Sequence, residues 1–191
     1  MHSEIIRHPE FSDPASDPAS TVMRVGQIGF DAAATLLAHF DLQLRRVAHG
    51  EPIPGSFWGD EEAGIIGSTV HARDDTPVHS LLHEAGHLIM LSPERRLDVH
   101  TDATDSIEEE DATCYLQIVL ADQLPGVGRE RLMADMDAWG YSFRLGSTRA
   151  WFEQDADNAR QWLIDRHLLT ADGHWPPPGM DSVSGVSCRA D

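Results

Sequence analysis

Five residues constrain this chain more than any others: His83-Glu84-Ala85-Gly86-His87, an H-E-x-x-H set inside residues 76–91, TPVHSLLHEAGHLIML. At roughly 100° per residue a helix brings His87 to within about 40° of His83 and one turn above it, so two imidazoles can reach one ion. Glu84 lies beside the pair. Neutral imidazole is a good Zn²⁺ ligand, and a carboxylate held next to a metal-activated water can take its proton. Val78, Leu81, Leu82, Ala85 and Ile89 recur every three to four residues, the buried stripe of an amphipathic helix. His79, His83 and His87 are expected to point away from that stripe. Thr76 is a suitable N-cap and Pro77 suits the first helical position, where no N–H is needed.

Two histidines do not make a catalytic site; a further ligand is required. Residues 106–122, SIEEEDATCYLQIVLAD, read as a second helix one loop later. Ser106 and Glu109 have capping-box spacing, and no Pro or Gly interrupts the run before Pro125. A carboxylate from its first turn, among Glu108, Glu109 and Glu110, can complete a three-ligand sphere and leave the fourth position to water.

An H-E-x-x-H helix followed by a glutamate helix resembles the gluzincin branch of the zincin metallopeptidases. The metzincin pattern does not fit, because Met90 and Pro93 stand where that pattern needs Gly and His. More narrowly, Glu109 to Tyr115, EEDATCY, is similar to the E-x-x-A-N-x-F segment of the ImmA/IrrE-type regulatory peptidases. That similarity implies Zn²⁺ held by His83, His87 and Glu109, with Glu84 as general base. Thr113 departs from it, standing where that family has Asn. Glu110, and Asp98, His100, Asp102 or Asp105 in the intervening loop, remain open as the third ligand. The resemblance also implies that the strand just before the metal helix lies at the sheet edge and captures peptide as an added strand.

Charge and composition narrow the classes of partner. The 14 basic residues are all Arg against 32 acids, a net charge of −18, which repels phosphate backbones and anionic membranes and disfavours nucleic-acid binding. No run of 18 apolar residues suggests a membrane span. The first residues lack a basic region followed by an apolar core. Two distant cysteines, Cys114 and Cys188, suit reduced thiols and a cytoplasmic setting.

Residues 1–20 carry a tandem DPAS and are expected to be a flexible lead-in; 21–170 form the domain; 171–191, containing PPPG, are expected to be a mobile tail. Within the domain, 31–40 read as helix, with His39 a structural histidine, and 42–49 as strand. Residues 51–59 read as loop, with Phe57 and Trp58 as anchors. Residues 63–73 read as one strand with His71 at its surface, 92–105 as mostly loop, and 128–139 as a helix stopped by Gly140. Residues 148–169 read as one more helix. The expected architecture is α+β and zincin-like: a small mixed or antiparallel sheet under a metal helix and a glutamate helix, with extra C-terminal helices. The expected function is zinc-dependent hydrolysis of a peptide or protein substrate. Tyr115, Tyr141, His100 and His167 are the choices for an oxyanion donor. The competing expectation is a non-catalytic zinc-binding regulatory module that binds a basic partner.

Overall fold

The computed structural model describes residues 21–57, 59–101, 103–104 and 106–175. The DPAS repeat, Trp58, Asp102, Asp105, Cys188 and PPPG lie outside them. The described residues form an α+β fold of eight helices and a small mixed sheet.

Two short helices come first, α1 (Val25–Ile28) and α2 (Phe30–Ala38), followed by β1 (Gln43–Arg46). Leu36, Leu37 and Phe40 are buried as their spacing requires. His39 is exposed, its Nδ1 2.8 Å from the Thr35 carbonyl, which fits a structural role.

The expected single strand over 63–73 is instead a hairpin, β2 (Gly64–Ile66) and β3 (Thr69–Ala72), paired antiparallel with Ile66 opposite Thr69. Gly67 takes φ +59, as the first place of a two-residue Gly-X hairpin loop demands. β1 pairs with β3 in parallel, so the order is β1-β3-β2. The strand that leads into the metal helix is therefore central and not at the edge. Gly64 does permit a close approach, but of the chain's own loop: a Cβ there would fall 2.3 Å from the Pro54 carbonyl oxygen and the Ser56 nitrogen. Phe57, in the same loop, is 58% exposed, so its ring is not the core anchor expected. His71 is buried on β3, contrary to the surface placement expected.

α3 (Val78–Met90) carries the H-E-x-x-H set and packs against β2, β3 and the long helix α5 (Ile107–Leu120). Covered on both sides, it buries every residue except Glu84 and Met90; the histidines are not on a solvent face. Its start differs from the expected cap. Pro77 holds the N-cap position, and the Thr76 hydroxyl accepts from the Arg73 N–H to close the preceding turn. Its end is fixed by α4 (Pro93–Arg96), whose buried Arg96 donates to the Leu88, Leu91 and Phe40 carbonyls. A cation on the last carbonyls of a helix is favourable twice, as donor and against the dipole.

α5 begins at Ser106, whose hydroxyl accepts from the Glu109 N–H. α6 (Gly128–Trp139) ends at Gly140 with φ +105, the left-handed stop expected. The expected last helix is two, α7 (Thr148–Gln154) and α8 (Asp157–Asp165). Asp155 sits at the break with its carboxylate taken by Arg144. Residues 171–175 form a turn, and Trp175 packs on Phe40 with ring centroids 5.5 Å apart. Among the described residues no helix is long and apolar enough to cross a membrane.

Candidate metal centre

The site is built where α3 and α5 touch. Gly86 makes the contact possible: a Cβ there would lie 3.0 Å from the Thr113 methyl, so the glycine lets α5 come close enough for its side chains to reach the imidazoles. Gln117 Oε1 lies 2.8 Å from His83 Nδ1, and an amide oxygen only accepts, so Nδ1 carries the proton. The Thr113 hydroxyl donates to the Glu109 carbonyl at 2.8 Å. Its oxygen therefore accepts from His87 Nδ1, 3.3 Å away. Both imidazoles thus carry a proton on Nδ1, which leaves Nε2 as the ring atom each turns toward the other side chains of the group.

The two Nε2 atoms converge. His83 Nε2 and His87 Nε2 are 3.2 Å apart, and Glu110 places Oε2 3.6 Å from the first and Oε1 3.5 Å from the second. With bonds of about 2.0–2.2 Å, a tetrahedral zinc separates its ligand atoms by about 3.3–3.6 Å. Two buried imidazoles and one carboxylate thus form a group that could hold a metal ion, and its spacing fits one.

The carboxylate that meets the imidazoles is Glu110, one residue on from the expected Glu109. Thr113, Cys114 and Gln117 face α3, and on a helical wheel Glu110 lies about 10–20° from their mean direction while Glu109 lies nearly a quarter-turn away. Glu109 instead gives its backbone to the first turn, N–H to Ser106 and carbonyl to Thr113. The sequence did hold a signal for Glu110. In the buried stretch from Ala112 to Leu120, Thr113 and Gln117 are polar and lie three and seven residues past it, the spacing of one helix face.

Charges at the site are coupled. Burial disfavours a proton on His83, but Tyr141, Cys114 and Glu110 outweigh it and hold that imidazole well above its ordinary value. Burial, reinforced by the neighbouring His83, pushes His87 down to about 3. Burial would raise Glu110, yet its bond to His83 and the nearby His87 keep it lowered. Raised in this way, His83 keeps a proton on Nε2 as well, which a bound cation would displace, while neutral His87 offers its Nε2 lone pair and Glu110 its negative charge.

Glu84 is the half-exposed acid of α3. Helical geometry sets it about 60° from His87 and 100° from His83. The other expected residues fall out differently. His79 is 1% exposed and packs on Trp139 and Tyr141, without joining the group. His100 is exposed, its ring bonded to Thr101. Asp98 also stays outside the group. Of the possible oxyanion donors, Tyr141 lies nearest: its ring centroid is 6.2 Å from that of His83, and burial raises its phenol above the usual value. Tyr115 stacks on Phe152, and His167 sits in the turn after α8.

Comparison with known proteins returned no matching family model, no matching curated protein and no matching solved structure. What bears on function is therefore this geometry and the resemblance of the two motifs.

Proposed function

We propose that the chain is a zinc-dependent metallopeptidase, with zinc held by His83, His87 and Glu110 and with Glu84 as general base. One observation carries the reading: two Nε2 atoms and a carboxylate meet at 3.2–3.6 Å with both Nδ1 atoms tied by α5. Among the described residues no fourth His, Cys, Asp or Glu joins them. A structural zinc site is closed by four protein ligands, whereas a catalytic one keeps a place for water.

Zinc bound there would supply Lewis acidity toward a carbonyl and make water a stronger acid. The chain's own residues do the remaining work. Gln117 and Thr113 lock the tautomers, so neither ligand has to reorient. Glu84 takes the proton of the attacking water and hands it to the leaving amine. The substrate is a peptide or protein, and the charge of −18 disfavours nucleic acid as a partner.

A second reading, a non-catalytic zinc-binding regulatory module, draws on one observation: the outer backbone groups of β2 are already bonded within the chain. The deciding experiment is metal content by mass spectrometry, with hydrolysis of unfolded casein, for wild type, His83→Ala, Glu109→Ala, Glu110→Ala and Glu84→Gln. Near one zinc per chain is expected in wild type, Glu109→Ala and Glu84→Gln, and none in the other two. Loss of turnover in Glu84→Gln with zinc retained separates the enzyme from the module. Zinc retained in Glu110→Ala would reject the ligand set.

A further inference from the structure

Of the two outer strands, β2 is the one that packs against α3, so its outer edge is the one an extended peptide would use to reach the candidate metal centre. An exposed edge presents unpaired N–H and C=O groups that recruit another strand. Here that edge is taken. Ile65 N–H donates to the Gly55 carbonyl at 3.1 Å, Ile65 C=O accepts from the Thr101 N–H at 3.0 Å, and Gly67 N–H donates to the Val99 carbonyl at 2.9 Å. Ile66 and His100 form an antiparallel bridge.

We propose that Val99–His100–Thr101 is an internal strap occupying the place of a substrate strand on β2, and that peptide is admitted when the strap lifts. This role rests on the peptidase reading and deepens it. Three features suit a segment held on but able to leave. The strap belongs to the connection between α3 and α5, the two helices that carry the metal ligands, so its position is linked to theirs. Val99 is buried and fixes one end, while His100 is exposed and its ring bonds only forward along the strap, to the Thr101 hydroxyl, in the hydrogen bond described above. Thr101 takes φ +74, a conformation that β-branched residues rarely adopt and that stores strain relieved on release.

Thr101→Pro and Thr101→Gly test the proposal in opposite directions. Proline removes the N–H that bonds Ile65 and cannot take a positive φ; glycine keeps the bond and removes the strain. Native-state hydrogen exchange on zinc-loaded wild type is the first readout, and hydrolysis of quenched fluorescent casein the second. The Gly67 and Thr101 amides are expected to exchange at least ~100-fold faster than the amides joining β2 to β3, as for a locally opening segment. Thr101→Pro should raise kcat/KM on casein about tenfold, and Thr101→Gly should lower it, within what a local opening equilibrium allows.

Exchange at a uniform rate across strap and sheet would overturn the strap. So would a wild type that cleaves casein with Thr101→Pro no faster. If Thr101→Pro does not fold, the exchange pattern and Thr101→Gly decide. No cleavage by wild type and Thr101→Pro alike, each holding one zinc, would reject the peptidase reading itself and the guarding role with it.

Discussion

His79 and the pair His83 and His87 stand at successive turns of one helix, all buried, yet they live in opposite environments. Each imidazole of the pair has its Nδ1 tied by a side chain from α5 and its Nε2 turned toward Glu110. Among the described residues His79 has no hydrogen-bond partner for either ring nitrogen. It meets the rings of Trp139 and Tyr141 at 5.0 and 5.5 Å. Burial, helped by the charges of His83 and Arg24, pushes it down to about 3. Spacing on α3 cannot make this distinction. It is made by what the facing elements present: acceptors and a carboxylate at one turn, aromatic faces at the next.

The largest effect expected from this contrast is on metal affinity. His87→Phe should weaken zinc binding by at least ~10³-fold, since one of three ligands is lost. His79→Phe should change it less than about threefold, because a ring that only packs is replaced by another ring. Titration against a chromophoric chelator reads both. Equal losses would dissolve the contrast and bring His79 into the coordination sphere.

Acid stability sharpens the same comparison. With a folded-state value near 3 against an ordinary 6.5, His79 stays neutral in the fold while the unfolded chain takes up a proton. The unfolded state binds more protons between those values, so stability falls as pH falls from about 6.5 toward 3. Removing that proton uptake should flatten the acid limb by a few kcal/mol, with about 1.4 kcal/mol for each pH unit between the two values as an upper bound. The measurement is urea unfolding of wild type and His79→Phe from pH 8 to 4 with metal chelated, where His87 contributes equally to both. An acid limb of unchanged slope would mean that His79 is hydrogen-bonded in solution.

What could be read from the sequence divides along the same line. α3, α5 and the Gly140 stop follow from local spacing and capping, and each stands close to where that spacing puts it. The misplacements arise where a distant partner decides. Gly67 and Ser68 look like the middle of a strand because Thr69 and Val70 restore β-branched character at once, and only pairing with β3 folds them into a turn. The α7–α8 break places Asp155 where Arg144 holds it. Glu109 and Glu110 are equivalent acids until α3 selects a face, and one residue then turns the side chain through about 100°.

A smaller loss is expected when the partners supplied by α5 are removed one at a time. Gln117→Leu and Thr113→Val each keep all three ligands but untie one Nδ1. Either should weaken zinc binding by about 10–100-fold, the usual cost of losing an outer-shell partner. Gln117→Leu acts through His83 and Thr113→Val through His87, so the double variant should fall further than either alone. Affinities within twofold of wild type would show that packing alone holds the rings.

The smallest effect tests why the two helices can meet at all. Gly86→Ala puts a methyl 3.0 Å from the Thr113 Cγ2, so α5 must retreat by a few tenths of an ångström. Overpacking of this kind costs about 1–3 kcal/mol, offset in part by the better helix propensity of alanine. The retreat also draws Glu110 from the imidazoles, and zinc affinity should drop about tenfold, near the lower end of what disturbed ligand support costs. Thr113→Ser removes the opposing methyl and keeps the hydroxyl that bonds His87. The double variant Gly86→Ala/Thr113→Ser should therefore recover most of the affinity, a coupling that independent sites do not show. Without recovery, the contact at Gly86 is not what sets the distance between α3 and α5, and the separation of Glu110 from the histidines must be fixed elsewhere along the helices.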